Sequence, residues 1–254
     1  MIKNCTIHKD FSSHKSFFDD IIENYDVKGE PFGNQDRNSL KLFALGNQVI
    51  NVKSFKIPNV VNQLAYRFFR KSKAQRSFEY ANKLIELHVG TPQPIAYYEF
   101  KTPLLFKKSF YLSEHLDCDL TYRELTTDFN YSNHEDILRA FTRFTFNLHE
   151  KGIHFLDHSP GNTLIKKSES GYDFYLVDLN RMEFRHMDFE TRIKNFSKLT
   201  IHKSMIEIMS DEYAKCSGDD YKVIFDLMWK ETMDFQHRFH RKRRLKKKLK
   251  FWKN

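Results

Sequence analysis

The sequence predicts an α+β chain, with a strand-rich first half containing one prominent helical region and a mainly helical second half. Three observations carry this reading. Residues 40–45 (LKLFAL) and 48–55 (QVINVKSF) read as two strands meeting at Gly46-Asn47, a two-residue hairpin signal. From about Asn59 to Val89 the rhythm lengthens to three and four, with Phe78, Ala81 and Ile85 apolar and Gln75, Glu79, Asn82 and Glu86 between them. Beyond Cys118 the pattern is helical except across 154–180.

The elements follow in order. Residues 1–30 are mixed and carry no clear period. Gly90-Thr-Pro-Gln-Pro stops the helical region. Two strand-like runs come next, 95–100 (IAYYEF) and 109–116 (SFYLSEHL), with Lys107-Lys108 near their turn. Residues 137–152 form an amphipathic helix closed by Gly152. NTLIKK, the turn SESG and YDFYLV then read as a tight hairpin running into Asp178. The halves meet near 114–118, which gives lobes at 1–113 and 114–236 and a tail at 237–254.

Composition bounds the function. The 254 residues are 40% hydrophobic and 30% charged, enough for two lobes with cores of their own. No run is long and apolar enough to cross a bilayer, and MIKNCTIHKD lacks the apolar centre of a signal peptide. Cys5, Cys118 and Cys216 are few, odd in number and far apart, so the expected setting is a reducing, cytoplasmic one without a disulfide framework. The formal charge of +9 is concentrated at one end: residues 237–254 hold ten Lys/Arg and no acid, and removing those ten leaves a body at −1.

The chemistry centres on HFLDHSPGNTLIKKSESGYDFYLVDLN (154–180). An Asp with an Asn five residues on is no signal alone, since Asp19…Asn24 and Asp128…Asn133 share it. Asp157…Asn162 differs in context, lying between an amphipathic helix and a hairpin that ends on Asp178. Folding that hairpin brings Asn162 near Asp178, with Asp157 on the preceding loop. Two carboxylates and an amide suit a hard divalent cation. This is the kinase arrangement: Asp157 takes the acceptor hydroxyl proton, while Asn162 and Asp178 hold Mg²⁺ on the phosphates of ATP. The expected fold is therefore protein-kinase-like and two-lobed.

The first half supplies candidates for the rest of a nucleotide site. Lys53 ends Ile-Asn-Val-Lys on the second hairpin strand, with Lys56 as its rival on the opposite face. Glu79 lies mid-helix as its carboxylate partner, with Glu86 as the alternative. Gly29-Glu-Pro-Phe-Gly33 stands where a phosphate-binding glycine loop belongs, although its spacing is not G-x-G-x-x-G. Each residue alone has an ordinary surface role open to it; their order along the chain argues for the site.

NVKSFK, LAYRFFRKSKAQRSFEYANKLIELHVGTPQPIAYYE, LDHSPGNTLI and FYLVDLNRMEF together resemble the lipopolysaccharide core kinases, the Kdo/heptose kinase family. The resemblance runs from about Tyr25 to the helices after Asp178. It implies transfer of phosphate from ATP with Mg²⁺ to an inner-core sugar on lipid A, Kdo being the first candidate. It implies Asp157 as base, Asn162 and Asp178 as metal ligands, Lys53 on the phosphates and Glu79 as its partner. The chain departs from protein kinases in several places. His154 precedes Asp157 by three residues, no Arg adjoins that Asp, and Ser159 stands where Lys is usual. Asp178-Leu-Asn180 replaces Asp-Phe-Gly, Asn51 replaces a small residue under the adenine, and no Ala-Pro-Glu follows. The last absence favours a small or lipid-linked acceptor over a docked peptide.

Two further features have competing readings. His149, His154 and His158 form a cluster that suggests zinc, but no Cys joins it, and a bracing role for His154 in the loop is preferred. In the tail, Leu245, Leu249 and Trp252 make one helical stripe in a basic field, which suits an anionic membrane surface. A solubilising tail or non-specific nucleic-acid binding are the alternatives. The expected location is cytoplasmic, peripheral on the inner face of the inner membrane. The sequence names no protein partner. A RIO-like protein kinase and a non-catalytic kinase-fold scaffold are the competing functions.

Overall fold

The computed structural model describes residues 2–33, 38–169 and 171–251, with side chains through 247. They form two compact units, Met1–Asp117 with Asp178–Asn180, and Cys118–Val177 with Arg181–Asn254.

The first unit opens with β1 (Ile2–Ile7), a 3₁₀ turn (Lys9–His14), α1 (Lys15–Glu23) and β2 (Glu30–Pro31). It continues with β3 (Ser39–Leu45), β4 (Gln48–Phe55), α2 (Val60–Phe68), α3 (Lys73–Glu86), β5 (Pro94–Lys101) and β6 (Phe106–Glu114). The strands make one antiparallel sheet in the order β1-β5-β6-β4-β3-β2. The β3–β4 hairpin turns at Gly46-Asn47, where Gly46 has φ +58, the left-handed backbone such a turn needs. Phe18, Ile21 and Ile22 of α1 share a core with Ile50, Val52, Tyr98, Phe110 and Leu112 of the sheet. Each such side chain, fully buried, contributes about 1.5–3 kcal/mol. α3 packs on β5 and β6, with Ala74, Phe78, Ala81 and Leu84 inward and Ile85 exposed.

The helical region is two helices rather than one. Ser72 interrupts it: its side chain accepts from the Gln75 N–H and starts α3 afresh, while α2 ends at Phe68. α3 also stops at Glu86, before the Gly-Pro stretch, with His88 in a left-handed conformation (φ 53). Lys107 and Lys108 lie within β6, not at its turn.

The second unit contains β7 (Leu120–Thr121), α4 (Tyr122–Thr127), α5 (His134–Glu150), β8 (Ile153–Phe155), β9 (Thr163–Ser168) and β10 (Gly171–Leu176). β11 (Met182–Phe184), α6 (Phe189–Lys194), α7 (Lys203–Ser217) and α8 (Tyr221–Phe251) complete it. β10, β9 and β7 form a small antiparallel sheet, and β11 pairs with β8. Helices α5, α7 and α8 close round Phe141, Ile206, Met209, Ile224 and Met228. Arg139 of α5 holds α7 through Asp211 (2.6 Å) and Glu212 (3.1 Å), and Arg143 pairs with the same Glu212. α5 ends where Gly152 takes φ +68; a Cβ there would meet the Arg185 carbonyl oxygen at 3.1 Å.

The basic tail continues α8. Ile224, Met228 and Thr232 are buried at spacings of four, whereas every residue from 237 to 247 is exposed. The expected tail stripe is described only at Leu245; the Leu249 side chain and Trp252 lie outside the described residues. Among the described residues no helix is long and apolar enough to cross a membrane.

Candidate active site

In the first unit, Lys53 and Asp178 meet. The Lys53 Nζ donates to Asp178 Oδ1 at 2.7 Å, with the lysine side chain largely buried. Lys53 faces this point because β4 is central, its residues alternating between the two faces of the sheet. Asp178 follows directly after the β9–β10 hairpin and has φ 58, a conformation uncommon for a residue with a side chain and typical of functional turns. Its Oδ1 also accepts from Asn180 Nδ2 at 2.8 Å. The side chain that protein kinases lack at position 180 thus has a task here: it fixes the carboxylate two residues back.

Glu79 does not take Lys53. It accepts from Lys71 Nζ at 2.8 Å and 3.0 Å and from Gln75 Nε2 at 3.0 Å. The expected Lys53–Glu79 pair is therefore replaced by two separate pairs, because Lys71, in the break between α2 and α3, reaches Glu79 and Asp178 reaches Lys53. The two glycines also do not make one loop, since they flank β2. Gly29 (φ +82) lies under Phe43, whose ring atoms would be 2.4 Å from a Cβ, so packing accounts for it. Gly33 (φ +66) has nothing within 4 Å of a Cβ and begins the segment to β3, of which residues 34–37 lie outside the described residues.

In the second unit, Asp157 and Asn162 are joined by one turn of chain. Asn162 Nδ2 donates to the Asp157 carbonyl oxygen at 2.8 Å. The Asn162 carbonyl oxygen accepts from the Val177 N–H at 3.0 Å, closing the mouth of the β9–β10 hairpin. The Asp157 carboxylate lies 3.3 Å from Arg181 Nη1 and 3.7 Å from Lys198 Nζ. Lys198 also donates to the Leu156 carbonyl oxygen. Arg123 of α4 approaches the same loop, its Nη2 2.6 Å from where a Cβ on Gly161 would sit. Sequence reasoning missed all three cations, which no spacing links to the loop. Asn180 had a signal, since a short amide two residues after a carboxylate is within reach of it.

The loop is braced by a buried network other than the one expected. His154 sits in β8 opposite Glu183, 3.4 Å from its carboxylate. The brace is His158, whose Nδ1 contacts Asn195 Oδ1 at 3.3 Å, while Asn195 Nδ2 donates to the Phe155 carbonyl oxygen at 2.9 Å. His149 joins through Nε2 to the same Asn195 oxygen at 3.3 Å and through Nδ1 to the Tyr213 hydroxyl at 3.0 Å. Burial pushes the imidazoles down, His149 to about 3 and His158 to about 4, with the Asn195 contact opposing. Both are therefore neutral at pH 7.

The donor set suits Mg²⁺ better than zinc. Among the described residues no three His, Cys, Asp or Glu gather as a metal centre. Mg²⁺ in a kinase needs less: one carboxylate and one amide oxygen, with water and nucleotide phosphates completing the shell. Taken each in its own unit, Asp178 Oδ2 in the first and Asn162 Oδ1 in the second have no partner among the described residues, and each is a hard oxygen donor.

An antiparallel sheet with a buried Lys–Asp pair, and an Asp–x₄–Asn loop before a hairpin, define the class: a phosphotransferase of protein-kinase-like fold. Comparison with known proteins carries this further. A model of the family described as "Lipopolysaccharide kinase (Kdo/WaaP) family" matches residues 57–217, more than half of the chain, and the chain belongs to that family. The matched span includes Glu79, Asp157, Asn162 and Asp178 but not Lys53, Gly29, Gly33 or the tail. Among solved structures, WaaP in complex with acyl carrier protein is similar, with a TM-score of 0.63 and 14% identity over 94% of this chain and 98% of the matched chain. At that identity the likeness is one of fold. No curated protein matches the chain. Membership makes the chain a lipopolysaccharide kinase, which implies ATP as phosphate donor.

Proposed function

We propose that the chain transfers the γ-phosphoryl group of ATP to a hydroxyl of an inner-core sugar on lipid A, with Kdo the first candidate. The observation that carries the assignment of residues is the Lys53–Asp178 pair, which joins a β4 cation to the residue following the hairpin. Lys53 binds the donor phosphates. Asp157 accepts the proton of the attacking hydroxyl, so that the oxygen carries more charge as it meets phosphorus. Asn162 and Asp178 hold Mg²⁺, which when bound neutralises charge on the phosphate oxygens. Arg181, Lys198 and Arg123 give the Asp157 loop a positive surround, which suits an acceptor bearing acidic sugars or phosphates.

The location proposed is peripheral, on the inner face of the inner membrane. Support comes from α8, whose exposed residues 237–247 hold seven Lys/Arg and no acid. Like charges at helical spacing repel, and an anionic surface relieves that repulsion, at about 1 kcal/mol for each Lys or Arg near it. Incubating the protein with ATP, Mg²⁺ and Kdo-lipid A tests the function by mass spectrometry of the product. A single added phosphate on the core sugar supports it, and phosphate found only on protein, or nowhere, refutes it.

A further inference from the structure

α2 is packed the reverse way from an ordinary surface helix. It turns Gln63 and Tyr66 inward: Gln63 Nε2 donates to the Pro58 carbonyl oxygen at 2.9 Å, and the Tyr66 ring sits 5.6 Å from that of Phe106. Its aliphatic and aromatic side chains face solvent, with Val60 61%, Val61 75%, Leu64 41% and Phe68 53% exposed. In a 3.6-residue repeat those four fall within about 100° of arc, one continuous stripe. Phe69, which caps the helix, is 86% exposed. Arg67 extends the stripe by binding the neighbouring loop, its Nε donating to the carbonyl oxygens of Thr102 (3.1 Å) and Pro103 (3.2 Å), beside the exposed Leu104. An apolar patch of this kind marks a binding surface.

Its charge surroundings identify the partner. Residues 54–78 contain Lys56, Arg67, Arg70, Lys71, Lys73 and Arg76 and not one Asp or Glu. Beside α2 lies a pocket of about 340 Å³ whose lining includes Lys56, Asn59, Asn62, Tyr66 and Lys73. Lys56, Arg70 and Lys73 have no ion-pair partner among the described residues. Protruding apolar side chains with free cations beside them match the interface of an anionic bilayer, where rings and aliphatic chains enter the acyl boundary and amines meet phosphate. The substrate of this family is itself a membrane lipid, and on that membership the inference rests in part.

We propose that α2 and the 102–105 loop form a membrane-docking edge, separate from the basic end of α8, with Lys56 and Lys73 receiving a lipid phosphate in the adjoining pocket. This edge contributes an inserted apolar contact through Val61, Leu64 and Phe68.

Sedimentation of the full chain with vesicles tests it. The vesicles are phosphatidylethanolamine with phosphatidylglycerol, compared with phosphatidylcholine alone. The double variant Val61→Asp/Phe68→Asp, with the tail intact, should lose about tenfold or more in partitioning to the anionic vesicles, because it puts charge where apolar groups enter the interface. Lys56→Ala/Lys73→Ala should weaken binding to the anionic vesicles alone, and Phe68→Leu, which keeps an apolar group at the interface, should bind near the parent level. Unchanged thermal unfolding shows that the variants are folded, as the exposure of these side chains implies. Partitioning unchanged in the double variant overturns the proposal. So does a parent protein that is a dimer without lipid and becomes monomeric in the variant, which would make the patch a self-interface. Nucleotide binding measured without vesicles separates this result from the kinase assignment: its absence in the parent would sink that assignment and leave the vesicle result standing.

Discussion

Lys53 Nζ lies 2.7 Å from Asp178 Oδ1, an ion pair between residues 125 apart in sequence. The lysine is largely buried, so the pair is better shielded from solvent than most surface contacts. Removing one partner leaves the other charge uncompensated. Lys53→Met should therefore weaken Mg²⁺-nucleotide binding by about tenfold or more, a charged hydrogen bond being worth about 1.5–3 kcal/mol. Asp178→Asn should shift the Mg²⁺ dependence to higher concentration. Titration calorimetry with a non-hydrolysable ATP analogue reads both, and affinity equal to the parent's would contradict the assignment.

Asn180 orients Asp178 through its side-chain amide. Asn180→Ala should raise the Mg²⁺ concentration for half-maximal activity by about 10–100-fold, the usual cost of losing a partner that fixes a metal ligand. Asn180→Asp, which puts a second acid beside Asp178 in place of a donor, should not rescue it. Asn180→Gly, the protein-kinase residue, should behave like Ala.

Lys198 places a positive charge 3.7 Å from the Asp157 carboxylate and donates to the adjacent Leu156 carbonyl oxygen. No Lys stands in the loop itself, where protein kinases carry one. Lys198→Met should lower kcat by about 10–100-fold while leaving nucleotide affinity within about twofold, an interaction worth about 1.5–3 kcal/mol. Lys198→Arg, keeping the charge, should recover most of it. A merely structural lysine would show equal losses in thermal stability for Met and Arg and no selective effect on kcat.

His149 and His158 make stability depend on pH. Their folded pKa values, about 3 and about 4, lie below the ordinary 6.5, so between these limits the unfolded chain binds more protons. Their contribution is complete above about pH 6.5 and is lost as pH falls towards 4 and then 3, at up to about 1.4 kcal/mol per pH unit for each imidazole. Unfolding in urea at about pH 6.5, 6.0, 5.5 and 5.0, above the range where carboxylates dominate, should show falling stability. His158→Leu should lower the overall stability by breaking the Asn195 network and flatten the slope by close to one proton. A slope unchanged in that variant would contradict the neutral, buried imidazole.

Much of the fold was legible in local pattern. The β3–β4 hairpin announced itself through Gly46-Asn47, and the β9–β10 hairpin through the turn after Lys167. The break between α2 and α3 was not legible because Arg70-Lys-Ser-Lys contains no Gly or Pro and the apolar rhythm runs across it; only Ser72 as a cap gave a sign. α1 was missed although Phe18, Ile21, Ile22 and Tyr25 stand at helical spacing, since the short, half-exposed elements around it blur the period. Of the site, the residues held by chain continuity were readable: Asp157 and Asn162 lie on one loop, and Asp178 closes one hairpin. The partners set by packing were not. Lys71 claims Glu79, and Arg123, Arg181 and Lys198 reach the Asp157 loop from three other segments.

The central claim is that Asp157 carries the proton step of phosphoryl transfer. Single-turnover transfer from ATP to Kdo-lipid A, compared between the parent protein and Asp157→Asn, tests it most directly. The account predicts a rate lower by about 10²–10⁴-fold with Mg²⁺-nucleotide affinity unchanged. Transfer at the parent rate by the Asn variant would contradict it.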